Sequence, residues 1–158
     1  MSANTPLSER GPEVIAPPPL LYLGPLLAGL GLDRLLPLPR LPGPLRLLGV
    51  PLLAGGLAIA ATFLMTFRRA GTPPDPRQAP KALVEDGPYA YTRNPGYLGM
   101  TLIYGGITLV SGSRWPLVLL PGVLAAVNRG VIEREEAYLE ERFGTRYRDY
   151  RSRVRRWL

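Results

Sequence analysis

The sequence predicts an all-α fold, a polytopic membrane helical bundle of about four spans with a C-terminal helical hairpin and cytoplasmic amphipathic helices. Apolar residues are gathered into blocks that prolines, turns and charges separate. The clearest block, 47–67, carries no charge over the length of about 20 residues that a membrane crossing needs. Arg68 and Arg69 end this block, as the positive-inside rule favours. Near the C-terminus, aromatic residues recur at helical spacing among arginines, which is typical of a basic amphipathic helix.

The composition excludes several kinds of site. Cysteine and histidine are both absent, so a disulfide, a thiol nucleophile or a Cys/His metal site cannot form. We therefore expect no metal. A serine nucleophile would need another base, and the serines lie near the termini or in one short turn. The net charge of +7 fits nucleic acid or an anionic membrane surface. The apolar blocks favour membrane lipid as the partner, and no nucleic acid is expected.

The N-terminal part of the chain divides into a tail and a first span. Residues 1–19 are polar and rich in proline, and we expect a disordered N-terminal tail. Residues 20–158 then form a single membrane domain. Its first apolar block predicts a span over 20–36, although the uninterrupted run 20–32 is short for a crossing.

The second predicted span covers 47–67. Its Gly55 and Gly56 would allow close packing against another helix, although simple filling of space explains them more readily. With Arg68 and Arg69 inside, three earlier arginines would fall outside the membrane, in mild disagreement with the positive-inside rule. These residues are Arg34, Arg40 and Arg46.

A proline-rich connection over 70–80 leads to a polar and aromatic loop over 81–99. Gly87-Pro88 and Pro95-Gly96 prevent this loop from becoming one continuous helix. The two breaks bracket side chains that can stack or donate hydrogen bonds, namely Tyr89, Tyr91, Arg93 and Asn94. A ligand-binding loop and an ordinary juxtamembrane loop both fit this pattern.

Two further apolar blocks predict spans over 96–110 and 115–132, joined by a short turn. The pair is interpreted as a helical hairpin with Trp115 anchored at the membrane interface. Asn128 and Arg129 lie too deep in the second arm to face lipid, so both are candidates for a site. Snorkelling to the cytoplasmic rim explains Arg129 equally well.

Two amphipathic helices are predicted beyond the hairpin, over 133–143 and 146–157. In the first, Glu135 and Glu136 interrupt an apolar stripe, so a buried glutamate there needs a cationic or hydrogen-bonding partner. A shallow, solvated stripe is the alternative. The second helix is basic and is expected to lie on the anionic cytoplasmic leaflet. We therefore expect an integral protein of the bacterial cytoplasmic membrane, with the C-terminus and the 81–99 loop on the cytoplasmic side.

Residues 83–99, L-V-x-x-G-P-Y-x-Y-x-R-N-P-x-Y-x-G, resemble the first signature of the integral-membrane methyltransferases that include isoprenylcysteine carboxyl methyltransferase and the phospholipid N-methyltransferases. The second signature of that family spans 135–150 here. It is matched in order by Glu135, Glu136, Leu139, Phe143, Gly144, Tyr147 and Tyr150. The chain departs from the family at Asn94, where His is usual, and at Val131, where the isoprenylcysteine enzymes have a substrate-guiding Arg.

The resemblance implies methyl transfer from S-adenosylmethionine to a lipidic or membrane-associated small-molecule acceptor at the cytoplasmic membrane face. No G-x-G-x-x-G follows a strand, so Rossmann-type cofactor binding is excluded. Carried over by position, the cofactor contacts fall on Lys81, Ala82, Leu83, Val84, Tyr89, Asn94, Pro95, Gly96, Tyr97 and Glu135. We assign catalytic roles to Arg93, Asn94 and Glu136, and a substrate-guiding role to Arg129.

Two other functions are consistent with the sequence. A non-catalytic membrane protein of the same architecture would explain the departures at Asn94 and Val131. A membrane reductase that uses a nicotinamide cofactor is the second alternative, because a sterol reductase family resembles this C-terminal architecture. The identity of the bound cofactor separates these alternatives from the methyltransferase.

Overall fold

The structure, a computed structural model, describes residues 11–158 and within them contains helices and no strand. The all-α prediction is confirmed. The elements are α1 Pro18–Leu35, α2 Gly43–Leu47, α3 Gly49–Arg69, a 3₁₀ turn Gly87–Ala90, α4 Pro95–Ser111, α5 Trp115–Val127, a π-helical segment Asn128–Ile132, α6 Glu133–Phe143 and α7 Thr145–Arg153.

Local sequence explains several helix boundaries. Prolines occupy the first or second position of four α-helices: Pro18 in α1, Pro44 in α2, Pro95 in α4 and Pro116 in α5. The fixed φ of proline suits that position, where the missing N–H would have no partner within the helix. Gly112 and Gly144 end α4 and α6 with φ of 73° and 56°. Glycine adopts this left-handed conformation without the steric penalty of a Cβ atom.

Helices α3 and α4 pack with their backbones in direct contact. A Cβ atom at Gly56 would lie 2.8 Å from the carbonyl oxygen of Gly99, and one at Gly106 would lie 2.6 Å from the nitrogen of Leu53. Gly55 instead faces open space, and a Cβ atom there would have nothing within 4 Å. The interpretation that these glycines simply fill space is therefore wrong for Gly56, which permits the close helix contact. It fits only Gly55.

Helix α1 packs against both helices of the predicted C-terminal hairpin. Helix α4 packs mainly on α3, while α5 packs mainly on α1, and α4 and α5 make few direct contacts. Tyr22 of α1 donates to the carbonyl oxygen of Tyr97 at 3.3 Å and pairs with the Thr101 hydroxyl at 2.9 Å. Helix α1 therefore contacts both arms, and the buried Tyr104 hydroxyl of α4 donates directly to the carbonyl oxygen of Pro116 in α5 at 2.8 Å.

Helices α5 and α6 form one continuous helix through the π-helical segment. Two helical stretches within residues 11–158 have the length and apolar composition needed to cross a membrane, Gly43–Arg69 and Trp115–Phe143. Large apolar side chains are exposed on their outer faces, among them Leu57, Leu64, Met65 and Val118. Crossings by α1 and α4 stay predictions, as does the cytoplasmic position of α6 and α7.

The described part of the predicted N-terminal tail is held in place. The Ile15 N–H donates to the carbonyl oxygen of Gly130 at 3.1 Å, and Arg134 donates to the carbonyl oxygen of Glu13 at 2.8 Å. Helix α1 then begins at Pro18. The tail prediction is therefore wrong for residues 11–19, because their backbone groups find partners on the π-helical segment and α6. Residues 1–10 lie outside the described residues.

Helix α7 ends four residues before the predicted boundary at 157, at Arg153. Val154 is extended, with φ of −119° and ψ of 131°, and the chain turns back toward the 81–99 loop. The Arg93 N–H donates to the carbonyl oxygen of Arg155 at 2.9 Å, and Trp157 packs on the core between α1, α4 and α5. The predicted continuation of the helix is wrong because these contacts replace its last turn.

Candidate active site

The two signature segments meet at the end of the bundle where α4 begins. The Tyr97 hydroxyl donates to Glu135 Oε1 at 2.5 Å. Beside it, the Arg93 guanidinium lies 3.0 Å from Glu136 Oε1. From α7, the Tyr150 hydroxyl donates to the carbonyl oxygen of Tyr89 at 2.8 Å. Residues far apart in the sequence therefore form one contiguous site.

A cavity of about 500 Å³ lies between these segments. This volume is within the usual range of small-molecule sites, roughly 300–1,000 Å³. Most of the predicted site residues line it, namely Ala82, Leu83, Val84, Tyr89, Arg93, Asn94, Gly96, Tyr97, Glu135 and Glu136. All but three of the predicted site residues therefore line the same cavity.

One wall of the cavity is aromatic. The rings of Phe63 and Phe67 lie 4.8 Å apart, and the ring of Tyr89 lies 5.8 Å from that of Phe67. All three residues belong to the cavity lining. Aromatic faces attract cations and stack with planar groups. This wall can therefore bind a flat heterocycle or a cationic centre.

Glu136 is held by two arginines. Arg156 binds both carboxylate oxygens, from Nε to Oε1 at 3.1 Å and from a terminal nitrogen to Oε2 at 2.7 Å. Arg93 adds the third contact, and the side chains of Arg93 and Glu136 are only 9% and 8% exposed. The hydrogen bond to Glu136 is the main reason that the pKa of Arg156 is raised. The prediction that a buried glutamate needs a cationic partner is confirmed.

Glu135 differs from its neighbour. Within the described part of the chain, its carboxylate accepts one hydrogen bond, from the Tyr97 hydroxyl. A carboxylate offers about four acceptor positions, so Glu135 keeps acceptor capacity toward the cavity. Glu136, by contrast, is engaged on both oxygens. Of the two glutamates, Glu135 is the one available to a ligand.

Arg93 also has a free donor. Its Nε atom is buried and has no hydrogen-bond partner among the described residues. Because Arg93 lines the cavity, this N–H can bind an anionic group of a ligand. Buried donors in folded proteins are nearly always paired, so the orphaned Nε marks a position where a ligand atom would complete the hydrogen bonding.

Asn94 occupies the N-cap position of α4 but does not make a side-chain capping bond. Its Nδ2 instead donates to the carbonyl oxygen of Arg156 at 2.9 Å. Its backbone N–H donates to the Thr92 hydroxyl at 3.2 Å. The side chain therefore joins the start of α4 to the C-terminal residues, which is a positioning contact.

A known protein family matches the part of the chain that contains most of these site residues. A family model described as phospholipid methyltransferase matches residues 45–146, which is more than half of the chain. The chain belongs to this methyltransferase family. The match includes the first signature and the glutamate pair, and it ends before most of α7.

Two relatives of this chain match shorter stretches. An uncharacterized protein of Haemophilus influenzae is 42% identical over 64 residues, which are 39% of this chain and 98% of that protein. A protein-S-isoprenylcysteine O-methyltransferase of Schizosaccharomyces pombe is 39% identical over 72 residues, which are 46% of this chain and only 30% of that enzyme. No solved structure matches.

Three of the predicted site residues do not line the cavity. Lys81 is exposed, and its backbone N–H donates to the Thr72 hydroxyl at 2.9 Å. Pro95 is buried and starts α4. Arg129 is exposed on the π-helical segment, so its predicted substrate-guiding role is not supported by its position. That position fits the alternative interpretation, a side chain that reaches the aqueous rim.

Two sets of residues at the site could not be singled out from the sequence. Phe63 and Phe67 lie inside an apolar block, and their only signal is a spacing of one helical turn beside the loop. Arg156 was not separable from the other arginines around it. In the structure it also donates to Asn128 Oδ1 at 3.2 Å, and Asn128 in turn donates to Glu133 at 3.0 Å. The predicted polar site at Asn128 is therefore part of this network, whereas Arg129 is not.

Burial keeps the site tyrosines protonated. It raises the pKa of Tyr147 to about 12, and it also raises the pKa values of Tyr89 and Tyr150. At neutral pH these phenols act as hydrogen-bond donors rather than as bases. With no histidine in the chain, Glu135 is the cavity residue best placed to accept a proton.

Proposed function

We propose that this protein transfers a methyl group from S-adenosylmethionine to a lipidic or membrane-associated small-molecule acceptor at the cytoplasmic face of a bacterial membrane. The observation that carries the proposal is the cavity where the Tyr97–Glu135 and Arg93–Glu136 pairs bring the two signatures together. Membership of the phospholipid methyltransferase family supports the reaction class. The acceptor is proposed only as a chemical class.

The residues around the cavity fit the cofactor. S-Adenosylmethionine carries a cationic ammonium and sulfonium, an anionic carboxylate and a flat adenine. Glu135 has free acceptor capacity for a cation, and the orphaned Nε of Arg93 is a donor for a carboxylate. The aromatic wall offers ring faces for stacking or for a cationic centre.

The cofactor, when bound, supplies a methyl group that its sulfonium has already activated. The protein therefore has to orient the two reactants and exclude water. The buried contacts of Arg93 and Arg156 with Glu136 fix the loop against α6, which holds the cavity walls in register. A carboxylate acceptor needs no base, whereas an amine or phenol acceptor must lose a proton, and Glu135 can receive it.

The apolar side of the cavity supports a lipidic acceptor. Ala60, Phe63 and Leu64 of α3 contribute to the lining. Leu64 is also 43% exposed on the outside of the bundle. The same helix surface therefore borders both the cavity and the surroundings of the bundle, and we propose that an acceptor with a hydrocarbon tail enters across it from the lipid.

The basic surface of α7 supports the proposed orientation. Exposed arginines cluster there beside the cavity: Arg146, Arg148, Arg151 and Arg153. Glu85 of the first signature pairs with Arg146 at 2.9 Å and with Arg153 at 3.2 Å. Each arginine near an anionic leaflet adds roughly 1 kcal/mol of attraction. We propose that this surface rests on the cytoplasmic leaflet.

Cofactor binding by the purified protein tests the proposal. In detergent, S-adenosylmethionine should bind and NADPH should not. Glu135→Gln should weaken binding by about 1.5–3 kcal/mol, roughly ten- to a hundredfold, because a charge-assisted contact is lost. Glu141→Gln, an exposed glutamate on the same helix, should leave binding unchanged.

Transfer of a radiolabelled methyl group into a lipid extract then tests the reaction itself. Label in the extractable lipid or small-molecule fraction is the expected result. Binding of NADPH in place of S-adenosylmethionine would support the reductase alternative. Cofactor binding with no transfer to any extract would support the non-catalytic one.

A further inference from the structure

The C-terminal segment 154–158 lies beyond the residues that match the family, 45–146, yet it contacts both signatures. It leaves α7 in extended conformation at Val154. Trp157 packs on the core formed by α1, α4 and α5. The segment therefore turns back over the start of α4 and lies between the first signature and α6.

Two consecutive carbonyl groups of this segment hold three consecutive residues of the first signature. The carbonyl oxygen of Arg155 accepts from the Arg93 N–H at 2.9 Å. The carbonyl oxygen of Arg156 accepts from the Thr92 hydroxyl at 3.1 Å and from Asn94 Nδ2 at 2.9 Å. These contacts fix the loop immediately before α4.

The Arg156 side chain extends the same connection to the second signature. Its guanidinium binds both oxygens of Glu136 and also donates to Asn128 Oδ1. This forked geometry is specific to arginine, because a lysine ammonium is a single charged point on a flexible stem. One residue thus joins the loop, the π-helical segment and α6.

The contacts of Arg156 affect the cavity through Glu136 and Arg93. Glu136 pairs with Arg93 at 3.0 Å, and Arg93, whose Nε has no partner among the described residues, lines the cavity. While Arg156 occupies both oxygens of Glu136, the carboxylate has a fixed orientation. Without Arg156, Glu136 is free to rotate and engage the unpaired Nε of Arg93.

We propose that Arg156 is a positioning residue of the cofactor site, acting through Glu136 and Asn94 to hold Arg93 and the start of α4 in the binding geometry. This inference rests on the proposed function. Arg156 does not contact the cofactor, and its charge alone is not sufficient. The two-oxygen contact with Glu136 is what positions Arg93.

Binding of S-adenosylmethionine by Arg156→Lys and Arg156→Gln tests the inference. Both should bind at least about tenfold more weakly than the unchanged protein, since losing part of a buried charged network costs this much or more. Arg148→Gln is the matched control, because it removes the same charge from an exposed residue of α7 and should stay within about twofold. Combining Arg156→Gln with Glu136→Gln should weaken binding no more than the worse single change.

Trp157 provides a readout that does not depend on activity. The chain has two tryptophans, so Trp115→Phe leaves Trp157 as the only fluorescent reporter of the segment. Quenching of Trp157 by acrylamide should rise in Arg156→Gln and stay unchanged in Arg148→Gln. Retained helical circular dichroism in Arg156→Gln would show that the segment is released without unfolding.

The outcomes separate this inference from the proposed function. Wild-type binding by Arg156→Lys, or additive effects of Arg156→Gln and Glu136→Gln, would overturn the positioning role and leave the proposed function intact. Absence of S-adenosylmethionine binding by the unchanged protein would overturn both. Arg156→Lys keeps the positive charge, so its binding still tests the positioning role if Arg156→Gln fails to fold.

Discussion

At the end of the bundle where α4 begins, Arg93 and Arg156 bind a buried glutamate, whereas at the end where α4 stops, arginines bind backbone carbonyls. We call these the cavity end and the opposite end. At the opposite end, Arg40 donates to the carbonyl oxygen of Ser111 at 2.7 Å and Arg46 donates to that of Val110 at 3.4 Å. A helix C-terminus leaves its last carbonyls unpaired, and these arginines bind them.

The comparison shows that arginine alone does not mark a functional site. Arg40 and Arg46 are two of the three arginines that disagree with the positive-inside rule, and their contacts with the last carbonyls of α4 account for their presence. Unpaired buried atoms alone do not mark a site either, since Ser113 Oγ and Arg114 Nε at the opposite end also lack partners among the described residues. What distinguishes the cavity end is that the residue with the unpaired atom, Arg93, lines a cavity.

The largest expected difference between the ends concerns stability. Glu136→Ala leaves Arg93 and Arg156 without their shared partner, and breaking a buried ion pair in this way costs about 3–5 kcal/mol of unfolding free energy. Arg40→Ala removes an exposed cap and should cost less than about 1 kcal/mol. Denaturant unfolding in detergent measures both. Equal losses would show that the buried cluster at the cavity end is not a structural network.

The close contact between α3 and α4 extends from the opposite end to the cavity end, so substitutions along it can be compared. A Cβ atom at Gly56 would meet the backbone of Gly99, and one at Gly49 would meet that of Gly106, each within 2.8 Å. Gly56→Ala and Gly49→Ala should each cost about 1–3 kcal/mol of stability through overpacking.

Cofactor binding separates these two substitutions. Because Gly99 lies one turn from the cavity residue Gly96, only Gly56→Ala should also weaken S-adenosylmethionine binding. Gly55→Ala, which faces open space, is the control and should be neutral or stabilising. A loss of stability in Gly55→Ala as large as in Gly56→Ala would contradict the close packing of α3 on α4.

The two termini of α4 give the smallest expected effects. Asn94→Ala removes the contact with the Arg156 carbonyl and should weaken cofactor binding by about 1 kcal/mol. Gly112→Ala places a side chain at φ 73° and should reduce stability by about 1–2 kcal/mol with no change in binding.

Restoring the family's usual residue tests the role of Asn94 further. A histidine ring N–H can donate to the same carbonyl, so Asn94→His should retain cofactor binding at neutral pH. Turnover that rises by orders of magnitude in Asn94→His would show instead that a titrating group is needed at this position, and that the natural protein is a weakened or repurposed member of the family.

Much of the fold could be predicted from the sequence, because the signals are local. Uncharged blocks, prolines in first turns and glycines at helix ends define the helices without reference to the rest of the chain. The packing of α1 against both α4 and α5 could not be predicted, since all three helices are apolar on most faces. Nothing in the composition of one block indicates which other block it will contact.

The site was predictable to the extent that its residues form compact motifs. Tyr89, Tyr97 and the glutamate pair are adjacent to Gly/Pro breaks or interrupt an apolar stripe, so the sequence singles them out. Arg156 is one of many arginines near the C-terminus, and its role depends on a turn after Arg153. Its carbonyl accepts bonds from side chains of the loop, and a backbone acceptor has no sequence signature.

Photochemical crosslinking of radiolabelled S-adenosylmethionine to the purified protein shows whether the cofactor binds at the cavity end. The label should map to peptides within 83–97 and 135–150, should be displaced by excess unlabelled cofactor, and should fall sharply in Glu135→Gln. Displaceable label confined to peptides of the opposite end, such as 36–48 or 105–115, would contradict the account.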